Sequence, residues 1–75
     1  MEALKIELIP SNGLTLHKLI QTSDDGDMYI VKMSDDKVYF LLCFKTVKSM
    51  IGIMNNQFYF DFDNLDLVSY RKIKI

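Results

Sequence analysis

Residues 28–44, MYIVKMSDDKVYFLLCF, are apolar at nearly every position on both sides of the turn-forming Asp35-Asp36. Runs rich in β-branched and aromatic residues around such a turn predict a β-hairpin. An antiparallel hairpin usually buries one face and wets the other, whereas here both faces of the ladder are apolar. Residues 3–9 are simpler: Leu4, Ile6 and Leu8 alternate with Lys5 and Glu7, the two-residue period of a half-buried strand, which Pro10-Ser11-Asn12-Gly13 ends. The segment LTLHKLIQT at 14–22 reads two ways, since Leu14, Leu16 and Ile20 suit a strand and Leu16, Leu19 and Ile20 suit a helical turn. Asp25-Gly26 just after it is a strong two-residue hairpin signal and favours the strand.

Two tight turns then fix a register. Asp25-Gly26 sets Thr22 against Tyr29, Ile20 against Val31 and Lys18 against Met33, while Asp35-Asp36 sets Met33 against Val38, Val31 against Phe40 and Tyr29 against Leu42. On the reverse face Ile30 meets Leu41 and Met28 meets Cys43, with Leu19 and Tyr39 alongside and only Lys32 and Lys45 charged. Burying such side chains is worth roughly 1.5 to 3 kcal/mol each, a large share of the ~5 kcal/mol expected of a small domain. A cover for the second face is therefore expected.

Residues 46–54, TVKSMIGIM, bear on that cover. Val47, Met50, Ile51 and Met54 have the i, i+3, i+4, i+7 spacing of a short helix capped by Thr46, whereas a strand running into an Asn55-Asn56 hairpin sets Ile53 against Phe58, Ile51 against Phe60 and Lys48 against Asp63. The β-branched residues and Gly52 tip the balance to the strand. FYFDF at 58–62 alternates with Phe58, Phe60 and Phe62 inward, and residues 63–66 turn the chain into a last strand, LVSYRKIKI, whose change of parity predicts a bulge near Arg71. Pairing of that strand with the first would close the sheet. The pattern thus predicts one domain, residues 1–75, of mainly β class: a small antiparallel β-barrel or curled β-sheet of six to seven strands, of SH3 or OB size, with a short helix at 46–54 as the variant.

Composition agrees. Ala occurs once, whereas Val, Ile, Thr, Phe and Tyr together number 24, a balance that favours strands over helices. The one cysteine, Cys43, allows no internal disulfide and fits a reducing compartment. The N-terminal stretch lacks a secretory apolar block, and the longest apolar run, YFLLCF, is far too short to span a bilayer. These features predict a cytoplasmic protein; the Lys, Ile, Asn, Asp and Tyr bias suits the AT-rich genome of a virus or a low-GC bacterium. Net charge is −1, with eight Lys and one Arg, so a strongly basic nucleic-acid footprint is missing.

Candidate chemistry is thin. SDDGD at 23–27 and DFDNLD at 61–66 resemble fragments of calcium loops, but the first places its Gly one residue early and the second puts Leu65 where an oxygen ligand is needed. Turn formation explains these aspartates, although a meander would bring Asp24, Asp25, Asp27, Asp61, Asp63 and Asp66 to one rim. His17 has no triad partners placed by sequence, and Cys43 reads as a small core hydrophobe. No catalytic, cofactor or metal residue is expected, and no enzyme.

The surplus apolar face points instead to a small protein-interaction module, a regulator or inhibitor acting by contact, with a homodimer as its most economical form. Its expected contact residues are Leu19, Met28, Ile30, Tyr39 and Leu41, joined in the strand reading by Met50 and Met54. The alternative is a nucleic-acid-binding barrel of the OB or Sm kind, with Tyr39, Tyr59 and Tyr70 stacking on bases and Lys5, Lys37, Lys72 and Lys74 tracking phosphates.

Overall fold

The computed structural model describes residues 7–73. Its elements run β1 (Ile9–Pro10), α1 (Leu16–Gln21), β2 (Met28–Met33), β3 (Val38–Lys45), β4 (Met50–Met54), β5 (Gln57–Phe58), a 3-10 turn (Tyr59–Phe62) and β6 (Leu67–Ile73). The six strands form one antiparallel sheet in the order β1-β6-β2-β3-β4-β5. The mainly β expectation holds, in its curled-sheet form: among the described residues the sheet is open, with β1 and β5 at its edges. The strand expected over 3–9 lies mostly outside the described residues.

The segment after Gly13 is the helix α1, not a strand. Thr15 Oγ1 accepts a hydrogen bond from the Lys18 N–H at 3.1 Å, and Leu16, Leu19 and Ile20 are all buried on one side. The edge of β2 that a strand at 14–22 would have used is taken by β6, which sets Tyr29 against Lys72 and Val31 against Tyr70. The Asp25-Gly26 turn is present with Gly26 at φ +87°, but it joins helix to strand and docks on the end of β3, where Cys43 O accepts from the Gly26 N–H at 2.9 Å.

The central hairpin differs from expectation by one residue. Its loop has three residues, Ser34-Asp35-Asp36, closed by the Met33 N–H donating to Lys37 O at 3.1 Å, with Asp36 in the left-handed region at φ +67°. Val31 therefore pairs with Tyr39, Tyr29 with Leu41 and Met28 with Leu42. Because side chains alternate, that one step exchanges the two faces of β3. Tyr29, Val31 and Met33 share the inner face with Leu41 and Cys43, while Phe40 and Leu42 face out.

Residues 50–54 form a strand, as preferred, and the Asn55-Asn56 turn has both residues at positive φ (48° and 70°) and sets Ile53 against Phe58. The pairing stops there. FYFDF is not a continuous strand: Tyr59–Phe62 wind into the 3-10 turn, which puts Tyr59 and Phe62 against the core and leaves Phe58 and Phe60 exposed. The expected bulge in the last strand lies earlier than Arg71, where the β2–β6 register shifts between Lys32 and Met33 and Val68 is the extra residue.

Helix α1 lies on the inner face over β4, and Gly52 makes the approach possible. A Cβ at Gly52 would stand 2.6 Å from Ile20 Cδ1 and 2.9 Å from Leu41 Cδ1, and both neighbours are fully buried. Overpacking of this kind costs about 1–3 kcal/mol. Gly52→Ala is therefore expected to lower the unfolding free energy by that amount, and Ile20→Val, which deletes Cδ1, is expected to recover part of the loss in the double variant. Additive effects of the two substitutions in urea melts would refute the close contact.

Candidate functional site

The inner face is full. Leu16, Leu19 and Ile20 of α1 and the side chains of the 3-10 turn pack on Val31, Met33, Leu41, Cys43 and Met54, all without measurable exposure on the sheet side. Ser23, the one buried polar residue among the described residues, is satisfied: its Oγ donates to Leu19 O at 2.5 Å and lies 3.0 Å from the Tyr29 hydroxyl. Burial pushes the Cys43 thiol above its ordinary range, which suppresses the nucleophilic thiolate.

The outer face is a different surface. Following the pairings across the sheet, Ile73, Met28, Leu42, Ile53 and Phe58 form one row over five strands. A second row holds Arg71, Ile30 and Phe40, a third Ser69, Lys32 and Val38, and Phe44 pairs with Ile51 beyond the first. Phe40 is 59% exposed, Val38 54% and Phe60 53%, and Phe60 stacks on Phe58 with ring centroids 5.3 Å apart. The paired positions of this outer face carry two cations, Lys32 and Arg71, and no carboxylate among the described residues. Lys32 is held by Asp36 at 3.1 Å, and an Arg71 N–H donates to Glu7 O at 3.3 Å.

Of the residues expected to contact a partner, Met28 and Ile30 lie on this face, Met28 partly exposed and Ile30 buried beneath its neighbours. Leu19, Leu41 and Met54 are buried in the core, and Tyr39 and Met50 pack against it. Phe40, Leu42, Ile53, Phe58 and Phe60 take their place. The signal that could have found them is the length of the 34–36 loop, since β3 reads VYFLLCF and is apolar whichever face is turned inward.

Other candidate chemistry disperses. His17 Nδ1 lies 2.9 Å from the Tyr59 hydroxyl at the mouth of a cleft of about 380 Å³ that Asp63 and Asp66 also line. Among the described residues no group of three or more His, Cys, Asp or Glu is placed to hold a metal ion. The aspartates expected on one rim separate: Asp24, Asp25 and Asp27 sit where β2 begins, near Cys43 and Lys45, whereas Asp66 sits where β2 ends, beside Ser34. Tyr39, Tyr59 and Tyr70, the candidate base-stacking residues, all pack against the core. No helix of the described residues is long and apolar enough to cross a membrane.

Two carboxylates are committed to the fold. The Asp24 N–H donates to Asp27 at 2.8 Å, and Lys72 stands 3.3 Å from it, so the Asp27 carboxyl titrates below its ordinary value of 3.8. Asp35 is likewise depressed, first by the Tyr39 hydroxyl at 2.5 Å and then by the Lys37 N–H. Both groups bind protons more weakly folded than unfolded. Their stabilisation is present above about pH 4 and is lost as the pH falls through their folded values. Melting temperature is therefore expected to drop on acidification below about pH 4, with a shallower acid limb in Asp27→Asn and Asp35→Asn; unchanged slopes in both variants would refute this assignment.

Comparison of the chain with family models, curated proteins and solved structures returns no match.

Proposed function

We propose that this chain is a small, non-enzymatic protein-interaction module, a regulator or inhibitor acting by contact, and that its contact surface is the outer face of the sheet. The observation that carries this reading is the apolar row Ile73, Met28, Leu42, Ile53 and Phe58, flanked by the half-exposed rings of Phe40 and Phe60. Val38, Phe40, Leu42, Phe58 and Phe60 together leave roughly 500 Å² of apolar side chain in water, toward the upper end of what a monomer tolerates as its largest patch. The core does not need these side chains. α1 and the 3-10 turn already cover the opposite face.

A membrane or nucleic-acid contact fits less well. Two cations on a chain of net charge −1 give little attraction for a phosphate backbone. The exposed Phe58–Phe60 stack with Arg71 and Lys32 on the same face does keep single-stranded nucleic acid as the second reading.

The test is Phe40→Lys. A contact residue outside the core should change protomer stability by no more than about 0.5 kcal/mol, while retention of the dilute protein on a phenyl matrix should fall sharply. Wild type that passes through the matrix as the variant does, or a variant that unfolds, would overturn the reading. Retention on single-stranded DNA that declines steeply with salt would put the nucleic-acid reading in its place.

A further inference from the structure

We propose that the occupant of the outer face is a second copy of the same chain, packed face to face about a two-fold axis that runs along β3. This rests on the reading of that face as a protein contact and adds the partner and its orientation.

Area is the first argument. The roughly 500 Å² of strongly exposed apolar side chain is extended by half-buried Met28, Phe44, Ile51 and Ile53, and the whole face approaches the ~800 Å² per partner of a standard stable interface. A sheet of this size offers its twin a surface of matching extent, and two such sheets pack about 10 Å apart with strand directions within about 30°.

Self-complementarity is the second. An isologous contact requires that the patch map onto itself. A two-fold along the strands reverses the strand order, and the row Ile73, Met28, Leu42, Ile53, Phe58 has its middle residue on β3. Leu42 then faces Leu42 of the other copy, Met28 faces Ile53, and Ile73 faces Phe58, so an unbroken apolar row covers an identical one.

Charge fixes the orientation. The cations lie on one side of β3, Lys32 on β2 and Arg71 on β6, and the Phe58–Phe60 stack lies on the other. Reversal carries Arg71 of each copy toward the aromatic stack of the other, where a guanidinium is attracted to the ring faces. A two-fold across the strands would instead keep the strand order, laying β6 on β6 and β5 on β5, so that Arg71 of each copy stays four strands away from the Phe58–Phe60 stack of the other. That arrangement denies the guanidinium its contact with the rings.

Sedimentation and thiol cross-linking test both parts. Wild type is expected to sediment as a dimer that dissociates on dilution, Phe40→Lys as a monomer, and Arg71→Glu with a dissociation constant raised about tenfold. Cys43 is fully buried, so an introduced thiol is the reactive one. With a short bis-maleimide, Leu42→Cys should link to itself, whereas Arg71→Cys and Phe58→Cys should link to each other when mixed and not to themselves. Wild type that stays monomeric at millimolar concentration overturns the proposal, and if it still binds the phenyl matrix the protein-contact reading stands without it. Self-linkage of Arg71→Cys overturns the axis.

Discussion

The three residues between β2 and β3 decide which side of the sheet every neighbouring side chain occupies. Met33 and Lys37 close the loop, Asp36 takes the left-handed conformation, and Asp35 receives both the Lys37 N–H and the Tyr39 hydroxyl. Ser34 adds a third tie: its Oγ accepts from the Asp66 N–H, and its own N–H donates to Asp66 O, just before β6 begins. One short loop thus registers β3 on β2 and anchors the start of β6. With a side-chain period of two there is no intermediate arrangement. A loop one residue shorter would send Leu41 and Cys43 outward and bring Phe40 and Leu42 in, under a helix that has no room for them.

That helix shows how little chain is available for covering a sheet. Six residues of α1 and four of the 3-10 turn close the inner face, and they manage it because Gly52 lets Ile20 rest on the backbone of β4. Among the described residues the remaining segments are strands, tight turns and the short connection at Thr46–Ser49. A small domain buries a modest fraction of its surface, and this one concentrates its burial on one side. The apolar outer face is what remains after the inner core has taken the helix.

Much of the architecture was legible in the residues. Asn55-Asn56 announced its hairpin and placed Ile53 opposite Phe58, and the β-branched residues with Gly52 favoured the strand that Met50–Met54 forms. The losses have specific physical causes. LTLHKLIQT is too short for periodicity to separate strand from helix, and what settles it, the claim of β6 on the edge of β2, comes from residues about fifty positions away. FYFDF alternates like a strand, yet Tyr59 meets His17 and Phe62 packs edge-on against Tyr39, which together favour a tight coil over extension. Ser34, Asp35 and Asp36 are all turn formers, so the sequence does not say whether two or three of them make the loop. A surplus apolar face was therefore readable, and its membership was not.

The position of β6 also governs the order in which the molecule can assemble. Among the described residues it is the last of six strands, yet it is inserted between the first and the second, joining Tyr29 to Lys72 and Ile9 to Tyr70. The β2–β3–β4 meander can zip locally, but its free β2 edge must wait for a partner whose capture closes a loop of about forty residues, at an entropic cost recovered only when the strand docks. Until then a growing polypeptide presents an unpaired, strongly apolar edge, so the slow step of folding and the hazard of sticking to a neighbour coincide in a single event.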